Sequence, residues 1–173
     1  MIKITCFTSK ERINLENELV SRFSKSVINQ LKGASHLLVG VVTIGDLLEK
    51  KVSELFSQGE YPQALALDAV GTVAVEGFSR EVRELARQEV KEQGFKTSRH
   101  FSPGYGGWEV SQQEIIFKSI SAYNIGVSLS EGYMMLPQKS LSWIIGVGKE
   151  MIISSEEDNN CGNCQYKSCN YKF

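Results

Sequence analysis

Residues 62–94 read PQALALDAVGTVAVEGFSREVRELARQEVKEQG. Pro62 suits the first turn of a helix, where its missing N–H leaves no hydrogen bond unmade. The segment then stays helix-compatible for about nine turns at 3.6 residues per turn. Its first half is almost wholly apolar or small; its second half is charged, with Val82, Leu85 and Val90 on a narrower stripe. That pattern predicts a helix buried at one end and solvated at the other. Two carboxylates, Asp68 and Glu76, interrupt the apolar half. Each must point outward, pair, or face a polar site, because burying it alone costs several kcal/mol. Glu76, between Val75 and the Gly77-Phe78 pair, is the less comfortable and becomes a candidate to face a ligand cleft.

Upstream, Ile2, Ile4 and Cys6 alternate with polar residues as in a strand, and Leu15, Leu19, Phe23 and Val27 recur at near-helical spacing. HLLVGVVTIG at 36–45 reads as an apolar strand ending at a glycine turn. Asp46 and Glu49 form a capping-box-like pair before LLEKKVSELFSQ, which should stop at Gly59. Downstream, Ser111 and Glu114 repeat the capping box. NIGVSLSEGYMMLPQKSLSWIIGVG at 124–148 favours extended segments around LPQKS. A polar linker, SSEEDNN at 154–160, leads to CGNCQYKSCNYKF.

With 42% apolar and 23% charged residues in 173, one globular domain with a real core is expected. A net charge of -1 gives no broad basic footprint for nucleic acid. Apolar runs such as LLVGVV at 37–42 are too short to span a bilayer, and MIKITCFTSKERINLE lacks a signal-peptide core. A cytoplasmic protein is the resulting expectation, with cysteines as thiols or metal ligands.

The chemistry-bearing stretch is RHFSPGYGGW at 99–108. Its composition argues against a helix or regular strand. Glycines let a ligand approach backbone N–H and C=O groups, Pro103 stiffens the entry at Ser102, and Tyr105 and Trp108 offer flat faces with polar tips. The alternative is a structural turn with both aromatics packed in the core. His36 and His100 share no metal-binding spacing, and GVGKE at 146–150 lacks the first glycine and the Ser/Thr of a P-loop. The tail is C-x2-C-x4-C, with Cys161, Cys164 and Cys169. Three thiolates there suit zinc or an iron–sulfur cluster, with Cys6, a partner or solvent as fourth ligand. Redox-active thiols and an inert tail are the other readings.

FSPGYGGWEVSQQEIIF followed by IGVSLSEGYMMLPQKSLSWIIGVG resembles the activation domain of cobalamin-dependent methionine synthase, above all its short stand-alone forms with cysteine-rich tails. The resemblance covers roughly 37–148 plus the tail. It implies an α+β fold with a twisted antiparallel sheet flanked by helices, in an activation-domain-like unit at 1–153 followed by linker and tail at 154–173. It implies S-adenosylmethionine binding, with the chain as an accessory component of a methyltransferase system. One electron from a donor protein and a methyl group from S-adenosylmethionine would restore the oxidised cobalamin of a separate corrinoid-binding subunit. No cobalamin-binding D-x-H-x-x-G sequence occurs here, so the corrinoid is expected on that partner. Neither nucleic acid nor membrane is an expected partner. The competing reading is an iron–sulfur or zinc-tailed electron-transfer or docking protein for a corrinoid protein, without S-adenosylmethionine.

Carried over by position, Ser102, Pro103, Gly104 and Tyr105 match the ligand loop. Glu76 matches a helix glutamate near the ligand's amino or ribose end. Met134, Met135, Pro137, Ser140 and Ser142 match the adjoining hairpin. Two positions depart from the family pattern: His100 stands where an arginine is usual, with Arg99 one step earlier, and Trp143 stands where a glycine is usual.

Overall fold

The computed structural model describes residues 1–7, 31–105 and 108–151. In chain order these form β1 (Ile2–Phe7), β2 (His36–Thr43), α1 (Leu47–Ser57), α2 (Tyr61–Glu92), β3 (Lys96–Phe101), α3 (Gln113–Ile120), β4 (Ser128–Leu129), β5 (Met135–Leu136) and β6 (Ser140–Gly148). Short 3-10 turns at Val110–Gln112 and Ala122–Ile125 flank α3. The helical spacing of Leu15, Leu19, Phe23 and Val27, the linker and the tail lie outside the described residues.

The fold is α+β. The sheet runs β1-β2-β6-β3 with every neighbouring pair antiparallel, and β4 and β5 form a separate two-stranded hairpin. Both central strands are apolar on both faces, as strands covered on two sides must be. Leu37, Val39 and Val41 of β2 and Ile144 of β6 meet Ile116, Phe117 and Ile120 of α3. Leu38 and Val42 of β2 and Trp143, Ile145 and Val147 of β6 meet Val75, Val82, Ala86 and Val90 of α2 on the other face. The helices thus flank the sheet.

Trp143 decides how closely β2 and β6 fit. It is fully buried and pairs across the ladder with Gly40. A Cβ at Gly40 would stand 2.6 Å from Cε2 and Cη2 of the indole, so only glycine leaves room for it. The bulky residue at position 143 therefore packs into the core.

Several expectations change. The capping boxes do not form. Asp46 Oδ2 bonds Lys50 Nζ at 2.6 Å, and Glu49 accepts the Lys139 N–H at 2.7 Å instead. Ser111 Oγ turns to Glu109, and Glu114 pairs with Lys118. Arg99, His100 and Phe101 belong to β3 rather than to a loop. Residues 122–125 are helical, and extended structure begins only at Ser128.

The largest change concerns α2. Its buried positions are Ala64, Gly71, Val75, Ser79, Val82, Arg83, Ala86 and Val90, one stripe along the whole helix. The apolar first half is not wholly buried: Leu65, Val70 and Val73 are 62%, 60% and 72% exposed. Leu85 also faces outward, and Ala86 takes the inward place. Asp68 is paired with Lys139 at 2.7 Å, and Lys139 also donates to Thr72. That contact ties the start of β6 to α2.

Candidate functional site

β3 is an edge strand with an irregular register on β6 between Thr97 and His100. Ser98 fills the irregularity. Its buried hydroxyl accepts the Gly146 N–H at 2.9 Å and donates to the Arg99 carbonyl at 2.6 Å. The bulge re-aims Arg99 and His100 beside the loop that follows the strand, a common device next to binding sites. Arg99 lies over the Phe101 ring, 5.0 Å from its centroid.

Beyond Phe101 the chain turns sharply. The Tyr105 N–H donates to Ser102 O at 3.2 Å, Trp108 N–H to Tyr105 O at 3.0 Å, and Gly104 N–H to Trp108 O at 2.7 Å. Gly104 sits at φ +90, a conformation that side chains rarely adopt, so the turn requires glycine there. The two aromatics part company. Trp108 is buried, with its indole N–H donated to Gln112 Oε1 at 3.3 Å. Tyr105 is 62% exposed and free to meet a ligand. Pro103 is buried under the turn.

Facing β3, the charged second half of α2 buries one of its arginines. Arg83 is only 7% exposed and donates from Nη1 to Ser79 Oγ at 2.6 Å. Burial lowers its pKa first; Glu76 opposes that shift, and Arg87 and Arg80 add to it. His100 feels the same cluster. Crowding by protein, then the charges of Arg83, Arg87 and Arg99, push its pKa down to about 4. The imidazole is therefore neutral at neutral pH although part of the ring meets solvent. Arg83 thus feels Glu76 and Arg87 on its own helix, and His100 of β3 feels Arg83, Arg87 and Arg99; Ser102 follows His100 by two residues. The clue to Arg83 in the sequence was an arginine on the inward stripe of α2, one turn after Ser79.

This arrangement predicts a titration. A proton NMR titration should place the His100 imidazole near pH 4, well below the ordinary 6.5. The folded pKa lies below the unfolded value, so the unfolded chain binds more protons between the two. The contribution of His100 to stability is complete above about 6.5 and is lost as pH falls through about 4. A His100 midpoint near 6.5 in the folded protein would show that neither burial nor the arginines act on it.

Other candidates sit elsewhere. Ser140 is buried, its hydroxyl donating to Pro137 O at 2.7 Å and paired with the Thr43 hydroxyl at 2.9 Å. Ser142 is buried and bonds Gln113 Oε1 at 2.7 Å. Both hydroxyls are buried and bonded to core neighbours. Met134 is exposed and Met135 half-buried on the small hairpin, which reaches Pro137 through a cis peptide bond. His36 is structural, with Nδ1 on Ser35 Oγ at 2.8 Å and its ring edge-on to Phe95. Cys161, Cys164, Cys169 and the Cys6 side chain lie outside the described residues. Among the described residues no group of three or more His, Cys, Asp or Glu side chains could hold a metal ion.

No family model matches the chain, and no curated protein matches it.

Proposed function

We propose that the chain binds S-adenosylmethionine between the 102–105 turn and α2, and acts in trans to reactivate the cobalamin of a separate corrinoid methyltransferase, with an electron donor protein supplying one electron. The observation that carries this reading is a buried arginine of α2, Arg83, acting on a neutral His100 of β3, the strand that runs into the glycine turn with its exposed Tyr105. S-adenosylmethionine carries an ammonium, a carboxylate and a sulfonium. Glu76 offers the acceptor that an ammonium needs. Arg83 offers the fork that a carboxylate needs, in place of the arginine missing at position 100. Neutral His100 adds a hydrogen-bonding group without further positive charge beside the sulfonium. Tyr105 supplies a flat face for the adenine. Within this reading the methyl group and the cobalt chemistry belong to the two cofactors, and the protein contributes position and polarity.

The test is calorimetric titration of the full chain with S-adenosylmethionine, with and without the corrinoid partner. Tyr105→Ala should weaken binding by at least about 1 kcal/mol, roughly fivefold. It should not disturb folding, since the side chain is largely exposed. An unchanged affinity removes Tyr105 from the site. Absence of binding at millimolar ligand, even with the partner present, overturns the proposal.

A further inference from the structure

The outward face of α2 changes character partway along the helix. Between Pro62 and Gly77 the residues opposite the buried stripe are Leu65, Ala66, Ala69, Val70, Val73 and Ala74, all exposed. Beyond Gly77 the same face carries Arg80, Glu84 and Lys91. The first half is therefore apolar on its outward face as well as on its buried one, a pattern belonging to helices covered on both sides. Its only carboxylates before Gly77 are Asp68, which turns to Lys139, and Glu76 at the end of the stretch.

We propose that this face is covered by a second copy of the chain, the two α2 helices lying antiparallel across a two-fold axis between Ala69 and Val70. The sequence is self-complementary about that point. Leu65 then lies opposite Ala74 of the second copy, Ala66 opposite its Val73, and Ala69 opposite its Val70; the two-fold repeats each pair. Every large side chain meets a small one, which lets ridges enter grooves at close interaxial distance. Such an isologous contact uses one patch twice and closes on itself.

Charge agrees with this register. Arg80 comes opposite Gly59 of the second copy, next to that copy's Glu60, and both residues are exposed. Two Arg80–Glu60 pairs thus bracket the apolar pairs of the seam. No lysine or arginine occurs between Pro62 and Ser79, so the face lacks the basic flank of a helix that lies on anionic lipid. The seam is about 24 Å long at 1.5 Å per residue. A helix pair of that length buries on the order of 1,000 Å² in total, at the threshold of specific interfaces. The dimer is accordingly weak and concentration-dependent. Nothing in it depends on the ligand proposed above.

Sedimentation velocity of the full chain from about 1 to about 500 μM, the range for an interface of that size, should show the mass rising from 19.3 kDa toward twice that value. Val73→Glu, at a 72% exposed position, should weaken association at least about tenfold without changing the circular dichroism. Arg80→Glu should weaken it less, and Arg80→Glu combined with Glu60→Arg should restore it. A monomer throughout the range overturns the proposal, as does a dimer indifferent to Val73→Glu. A monomeric wild type whose Val73→Glu variant loses binding to the corrinoid partner assigns the face to that partner and equally overturns it.

Discussion

Trp143→Ala is expected to lower the free energy of unfolding by about 3–5 kcal/mol, the range for deleting a buried indole. Trp143 is fully buried, and its ring rests on Gly40 of the neighbouring strand, in the layer that joins the sheet to α2. Truncation opens a void between β2 and β6 that Gly40, having no side chain, cannot fill. Trp143→Phe should cost much less. It keeps most of the volume and removes an indole N–H that is buried without a hydrogen-bond partner among the described residues. The reverse change, Gly40→Ala, should cost about 1–3 kcal/mol by overpacking the same contact. The double variant Gly40→Ala with Trp143→Phe should recover part of that loss. Urea unfolding monitored by far-ultraviolet circular dichroism measures all four. Equal midpoints for Trp143→Ala and wild type would show that the sheet does not depend on this pair.

The Gly40–Trp143 contact also shows where sequence reading stops. The apolar runs that became β2 and β6 were visible, and so was the inward stripe of α2 through Val82 and Val90. These are local signals with periods of two and 3.6. That Trp143 faces a glycine depends on the register of two strands far apart in the chain, which no window can hold. The apolar first half of α2 misled for a related reason. Periodicity reports how apolar a helix is around its circumference, but which faces are covered is settled by neighbours. Here the sheet and α1 take one side, and Leu65, Val70 and Val73 stay outside. The caps failed because the side chains had better partners. Glu49 reaches the Lys139 N–H rather than its own helix terminus, a contact invisible before the hairpin is in place.

The candidate site was legible in half. Tyr105, the turn glycine Gly104 and the lone Glu76 stood out by composition. The cations did not, because Arg83 reads in sequence as one more charge on a solvated helix end. Only the packing of α2 against β3 makes it a buried guanidinium beside His100. Ser140 and Ser142 are buried and hydrogen-bonded within the core, since polar residues in a strand can serve packing as readily as a ligand.

Arg83→Met separates these roles most sharply. Arg83 is nearly buried and holds one hydrogen bond, to Ser79, with no carboxylate in salt-bridge range among the described residues. A buried guanidinium so placed loses hydration without full compensation, and a hydrophobe of similar volume is often neutral or stabilising in its stead. The unfolding midpoint of Arg83→Met should therefore hold or rise. If the arginine receives the carboxylate of S-adenosylmethionine, the same change removes charge-assisted hydrogen bonds worth about 1.5–3 kcal/mol, and affinity should fall about tenfold to a hundredfold. Stability kept and binding lost is the signature of a residue retained for a ligand rather than for the fold. The His100 titration gives a second readout. With the largest of its neighbouring charges gone, its midpoint should move up from about 4. Arg83→Lys should keep much of the His100 shift while losing the two-pronged geometry, so binding should still weaken. Were Arg83→Met to bind the ligand as tightly as wild type while raising the His100 midpoint, the carboxylate would have to be received elsewhere, and the guanidinium would serve only to keep the imidazole neutral.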